Sequence, residues 1–151
     1  MGKDRSTRRI SKAQRIPDRF AAVTAMDDNV GRILKKLEEE NLMEDTLIIF
    51  SSDNGFNCGH HGIWGKGNGT FPLNMYDSSV KVPLIMCHKG HIPENQVCDE
   101  MHSGYDFMPT LLEYLGFEND EADELPGKSF LPALMGQEHK NEDGRVVVFD
   151  E

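Results

Sequence analysis

Residues 46–66, TLIIFSSDNGFNCGHHGIWGK, decide the fold class. Leu47, Ile48, Ile49 and Phe50 form a short apolar run rich in β-branched side chains, the composition of a buried strand. Asp53-Asn54-Gly55 closes the run with a turn signal that carries two oxygen-bearing side chains. Open α/β sheets gather their ligands where strands hand over to loops at their carboxyl ends. Beyond the turn, His60, His61, Trp64 and Lys66 are crowded among Gly59, Gly62, Gly65, Gly67 and Gly69. A loop of that kind brings backbone and polar side chains close to a small anion.

Working outward, Phe20, Val23, Met26, Val30, Ile33, Leu34 and Leu37 recur at spacings of three and four. The spacing predicts an amphipathic helix that opens near Pro17-Asp18 and closes at Asn41. A helix followed at once by a strand is half of a βαβ unit, which favours an α/β sheet over a bundle. Residues 55–79 show no long period, and a loop that long in a compact domain is usually functional. Lys81 to Cys87 reads as a second buried strand, with Pro83 near its start, where a missing donor is tolerated. Ser103-Gly104-Tyr105-Asp106 has the form of a capping box. The helix it opens buries Phe107, Leu111, Leu112, Tyr114 and Leu115, is distorted early by Pro109, and ends at Gly116. An acidic loop over 118–124, a turn at 125–128, a short helix over 130–135 and a strand over 145–149 complete the pattern. The final strand lacks a continuation and the first helix lacks a preceding strand, so the chain reads as a piece of something larger.

The composition suits a soluble domain: 151 residues, 38% apolar and 28% charged. No apolar run is long enough to span a bilayer, and the N-terminus is basic and polar rather than signal-like. A net charge of −10 argues against general nucleic-acid binding, which needs a basic face. Residues 1–20 nevertheless carry seven basic and two acidic side chains. This basic arm, residues 1–19, is read as a solvated lead-in to the first helix rather than a nucleic-acid contact, with residues 20–151 as the domain proper. Cys58, Cys87 and Cys98 form no C-x-x-C pair, define neither a disulfide framework nor a zinc site, and leave the compartment open.

Taken singly, the residues of the central loop leave alternatives open. Asp53 and Asn54 offer hard oxygens of the type that hold Ca²⁺ or Mg²⁺, yet Asp-Asn-Gly is also a favoured turn on backbone grounds alone. Adjacent His60 and His61 in an extended loop point to opposite sides, so one can face a ligand while the other packs. Lys66 between two glycines is either a point charge for an anionic oxygen or an ordinary exposed lysine.

Taken together they form a pattern. The run from Ser52-Asp53-Asn54-Gly55 through Gly59-His60-His61-Gly62-Ile63-Trp64-Gly65-Lys66-Gly67 to Met75-Tyr76-Asp77-Ser78-Ser79-Val80-Lys81-Val82-Pro83-Leu84-Ile85 resembles the sulfatase family, of the alkaline-phosphatase-like superfamily. Residues 21–27 with Val30-Gly31, residues 103–112 and residues 125–130 extend the resemblance in the right order over about residues 20–150. It implies a partial alkaline-phosphatase-like α/β sheet with flanking helices, incomplete at its N-terminal side. It implies that Asp53 and Asn54 ligate an active-site Ca²⁺, with Mg²⁺ the poorer match, and that Lys66 contacts the sulfate and steadies the departing ester oxygen. His61, in the Gly-His-x-Gly part of the loop, faces the substrate under the same resemblance. A divalent cation and a lysine aimed at sulfate oxygens both stabilise developing negative charge.

The pattern also departs from the family. Its enzymes attack with a formylglycine made in a Cys/Ser-x-Pro/Ala-x-Arg motif, and none of the three cysteines here has that context. The family's other aspartate ligands belong upstream. The chain alone is therefore expected to lack sulfatase activity, to bind calcium weakly, and to self-associate through uncovered edges and apolar surface. The complete enzyme is expected to act on a sulfated small molecule or carbohydrate, and family members are usually extracytoplasmic. A phosphatase or phosphonate hydrolase of the same superfamily is the alternative enzyme, and a non-catalytic binding module of the same fold is the alternative class.

Overall fold

The computed structural model describes residues 12–118 and 124–137. The strand expected over 145–149 and most of the acidic loop lie outside those residues. The chain divides into two units, one built on Asn54–Ser79 with the segment up to Met43, the other on Glu44–Asp53 with the segment from Val80 onward.

The first unit opens with helix α1, Lys12–Glu39, which begins before Pro17 and contains it. Its stop is the expected one. Asn41 takes a left-handed φ of 58°, and the N–H groups of Asn41 and Leu42 donate to the carbonyls of Glu38 and Leu37, at 3.1 and 2.9 Å. These two bonds satisfy carbonyls that the helix end would otherwise leave unpaired. The apolar stripe, in contrast, is not covered: Phe20 is 69% exposed and Ile33 62%, while Val30, Leu34 and Leu37 are half-buried. The rest of this unit is the long loop, folded into short pieces. Strands β2 (Asn57–Cys58) and β3 (Trp64–Gly65) pair antiparallel, and tight helical turns occupy His60–Gly62 and Gly67–Gly69. A four-residue helix α2, Asp77–Val80, closes the segment.

In the second unit β1 (Ile48–Ser51) pairs antiparallel with β4 (Leu84–Cys87), in the register Ile48↔Cys87 to Ser51↔Leu84. Pro83 falls just outside β4, and its carbonyl accepts the Ser51 hydroxyl at 2.9 Å. Both strands were expected to be buried, yet Phe50 and Ile85 are 37% and 59% exposed. A two-stranded ribbon has two faces to cover, and the described residues do not cover them. His88, one residue past β4, ties the pair to its surroundings: Nε2 donates to the Glu44 carbonyl at 2.9 Å, which leaves Nδ1 to accept the Tyr114 hydroxyl at 2.6 Å. Burial raises the Tyr114 phenol above its ordinary pKa.

Helix α3, Phe107–Tyr114, is preceded by a tight turn over Gly104–Asp106, and Pro109 stands in its first turn. The capping box is present in full: Ser103 accepts from the Tyr105 N–H, and Asp106 accepts from the Ser103 N–H at 2.7 Å. Gly116, at φ 74°, ends the helix. Against α3 packs α4, Leu131–Leu134. The link is Thr110, fully buried, which donates to the Asp106 carbonyl at 2.6 Å and accepts the Phe130 N–H at 3.0 Å. Ile92 and Phe130 are the buried hydrophobic residues among those described. No described helix is long and apolar enough to cross a membrane.

Candidate functional site

The loop of the first unit brings together residues that stand twelve apart in sequence. Asn54 lies in the turn that follows β1, and Lys66 directly follows β3. The Lys66 ammonium donates to Asn54 Oδ1 at 2.7 Å, and Asn54 Nδ2 donates to the Gly55 carbonyl at 2.8 Å. Lys66 is exposed and Asn54 half-buried, so the pair sits at the surface with its charge in reach of a solute.

Gly55 explains how the turn fits. Its N–H donates to the Ser79 carbonyl at 3.0 Å, and a Cβ at this position would lie 2.4 Å from the Ser78 carbonyl oxygen. Only a residue without a side chain lets the two backbones approach so closely. The Lys66 side of the loop is held by Gly67, whose carbonyl accepts both the backbone N–H and the side-chain amide of Asn74, at 3.0 and 2.9 Å.

His61 sits at the crown of the hairpin in a left-handed conformation, φ 53° and ψ 21°, which is costly for a residue with a side chain. Its ring is exposed and stacks on Tyr76, with centroids 4.0 Å apart and planes 16° from parallel. The neighbouring His60 is also exposed and engages the backbone instead: its Nδ1 accepts the Cys58 N–H at 3.3 Å. The two adjacent histidines thus divide their tasks, one to backbone and one to a ring stack.

Asp53 is exposed, and its Oδ1 accepts the Ser52 hydroxyl at 3.4 Å. The donor types in Asp53 and Asn54 are hard oxygens, and Asn54 Oδ1 already faces a cation, the Lys66 ammonium. That chemistry suits Ca²⁺ or Mg²⁺ better than a soft metal. Among the described residues, no group of three or more His, Cys, Asp or Glu side chains could hold a metal ion.

Several residues of this unit gave no signal in the sequence. Arg19, counted there with the basic arm, lies with its guanidinium 4.0 Å from the Phe56 ring centroid and 5.6 Å from that of Trp64, and donates to Cys58 Sγ at 3.2 Å. Asn57 is fully buried and Ser79 is 3% exposed, and they are hydrogen-bonded to each other at 2.5 Å. Scattered Asn and Ser in a glycine-rich loop look like ordinary turn residues until their burial is known.

Comparison with known proteins gives a consistent answer. The family model described as Sulfatase matches residues 2–117. An N-acetylglucosamine-6-O-sulfatase from Bacteroides thetaiotaomicron is 30% identical over 136 residues, covering 90% of this chain and 23% of that protein. The solved structure of BT4656 in complex with its substrate D-glucosamine-2-N,6-O-disulfate superposes with a TM-score of 0.69 at 31% identity, over 82% of this chain and 23% of the other. A phosphonate monoester hydrolase from Silicibacter pomeroyi superposes with a TM-score of 0.63, also at 31% identity, over 76% and 21% of the two chains. The chain therefore spans about a quarter or less of the length of these proteins.

Proposed function

Because this chain belongs to the sulfatase family, with a partial alkaline-phosphatase-like α/β fold, we propose that it carries part of the cation and sulfate site of a sulfuric ester hydrolase. The observation that carries this reading is the Lys66 ammonium on Asn54 Oδ1 at 2.7 Å. It brings the proposed sulfate-binding cation and one of the two proposed metal-binding side chains to a single point on the surface.

In this reading Lys66 binds a sulfate oxygen and steadies charge on the departing ester oxygen, as a preorganised donor does best. His61, held against Tyr76, presents its ring to the substrate. Asp53 and Asn54 would hold Ca²⁺, with Mg²⁺ the poorer match. A bound cation would draw electron density from the sulfate oxygens. These residues do not include the nucleophile, and none of Cys58, Cys87 and Cys98 stands in a formylglycine motif. Sulfated carbohydrate is the substrate class proposed for the complete enzyme, supported by the similarity to BT4656 and its disulfated glucosamine.

A second reading, a phosphonate or phosphate ester hydrolase, is favoured by the comparable likeness to the phosphonate monoester hydrolase. The sequence weighs against it: Asn54 stands where metal-rich phosphatases tend to have histidine, and Lys66 lies in a Gly-Lys-Gly run. A complete homologous chain carrying this segment, assayed on paired sulfate and phosphate esters, separates the two. Preference for the sulfate ester, lost on Lys66→Ala, is the expected result; preference for the phosphate ester overturns it. The 151-residue chain by itself is expected to hydrolyse an aryl sulfate no faster than its own Lys66→Ala variant.

A further inference from the structure

Lys66 and Asn54 are flexible polar side chains, and a single hydrogen bond between exposed groups does not by itself fix their geometry. What surrounds them is more constrained. Following hydrogen bonds from donor to acceptor, Lys66 reaches Asn54, and Asn54 reaches the Gly55 carbonyl. The Gly55 N–H reaches the Ser79 carbonyl, the Ser79 hydroxyl reaches Asn74 Oδ1 at 2.6 Å, and Asn74 reaches the Gly67 carbonyl. Gly67 is covalently joined to Lys66, so the path closes on itself.

Ser79 is the hub of this ring. Its carbonyl holds the Asn54 side and its hydroxyl holds the Lys66 side. The same hydroxyl accepts from buried Asn57 at 2.5 Å, and Asn57 Oδ1 in turn accepts the Ser78 hydroxyl at 2.5 Å. A hydroxyl is needed there because one small group must both donate and accept. Among the described residues no buried side-chain nitrogen or oxygen lacks a partner, so this interior network is satisfied throughout. Removing the hydroxyl would strand the Asn57 amide and deprive Asn74 Oδ1 of its donor.

We propose that Ser79 is a positioning residue that ties the Asn54 carboxamide to the Lys66 amine, through Gly55 on one side and Asn74 on the other. Its functional meaning rests on the reading of Asn54 and Lys66 as cation- and sulfate-binding groups. The ring itself is independent of that reading. Ser79 touches no substrate; it acts by setting where the two groups stand.

The test is acylation of individual lysines in the full chain by an amine-reactive ester, with each site quantified by mass spectrometry. In Ser79→Ala, Lys66 is expected to react roughly fivefold faster than in the wild type, the effect of losing one ordinary hydrogen bond. Lys35, Lys36 and Lys89, which pair with Glu39, Glu40 and Glu44, serve as internal references and are expected to be unchanged. Asn74→Ala breaks the ring at a half-buried position and decides the matter if Ser79→Ala does not fold; the same Lys66-selective rise is expected. Equal acceleration at all four lysines, or an unchanged Lys66 rate in the folded variants, overturns the proposal. Inorganic sulfate separates the two levels. Slower Lys66 acylation with sulfate in the wild type, but not in the variants, supports both. A Lys66-selective rise without any protection by sulfate keeps the role of Ser79 and discards the sulfate reading.

Discussion

Lys66 and Gly55 show how differently single residues of one loop report themselves. Lys66 drew attention through its glycine neighbours, and its amine does lie on Asn54. Gly55 read as part of a turn, whereas its reason is a close backbone approach. A methyl group there would stand 2.4 Å from the Ser78 carbonyl oxygen and 2.7 Å from the Ser79 carbonyl carbon. Neither is the end of a flexible side chain that could swing away. Gly55→Ala is therefore expected to destabilise the chain by about 1–3 kcal/mol, the usual effect of overpacking, as measured by denaturant unfolding. An unchanged midpoint would mean that the turn shifts freely and that Ser79 does not hold it. Asn57, Asn74 and Ser79 were illegible for a different reason. Polar side chains carry no mark of burial in sequence, and these three became visible only once the loop had folded over them.

At the scale of elements, the local signals proved the most readable. The first helix stops at Asn41, the capping box forms at Ser103 and Asp106, and Gly116 ends α3, each as the sequence indicated. These features are decided within a few residues by backbone donors and acceptors that need partners. Ser103→Ala is expected to cost about 1 kcal/mol of stability, the ordinary value of an N-cap, in a thermal or denaturant melt. Asp106 would still accept its two backbone N–H groups, from Ser103 and Lys128, which limits the loss to the cap itself. Burial was less legible. The apolar runs of α1, β1 and β4 have the composition of a core, yet many of their side chains are exposed. Periodicity says which face of an element is apolar; whether anything covers that face depends on parts far away in the chain.

At the scale of the molecule, two facts belong together. The chain spans about a quarter or less of the length of the relatives it matches, and large apolar side chains such as Phe20, Val23, Ile33 and Ile85 stand exposed. Apolar surface left in water drives association, at about 25 cal/mol per Å² removed from solvent. Self-association that grows with concentration is the expected behaviour in sedimentation. A single monomeric species across the concentration range would show that these faces are covered in solution by contacts other than those described. The family and the partial α/β fold were legible because motifs lie in order along most of the chain, and because local structure follows the sequence closely. The roles of Asp53, Asn54, His61 and Lys66 rest on chemistry that a direct binding measurement can address. That measurement is a titration of the isotopically labelled chain with inorganic sulfate, observed by NMR at the Lys66 amine and the Asn54 side-chain amide. Both signals should move together in the wild type, and the Asn54 signal should stay still in Lys66→Ala. Sulfate that moves other lysines of the folded chain while leaving Lys66 and Asn54 in place would contradict the account.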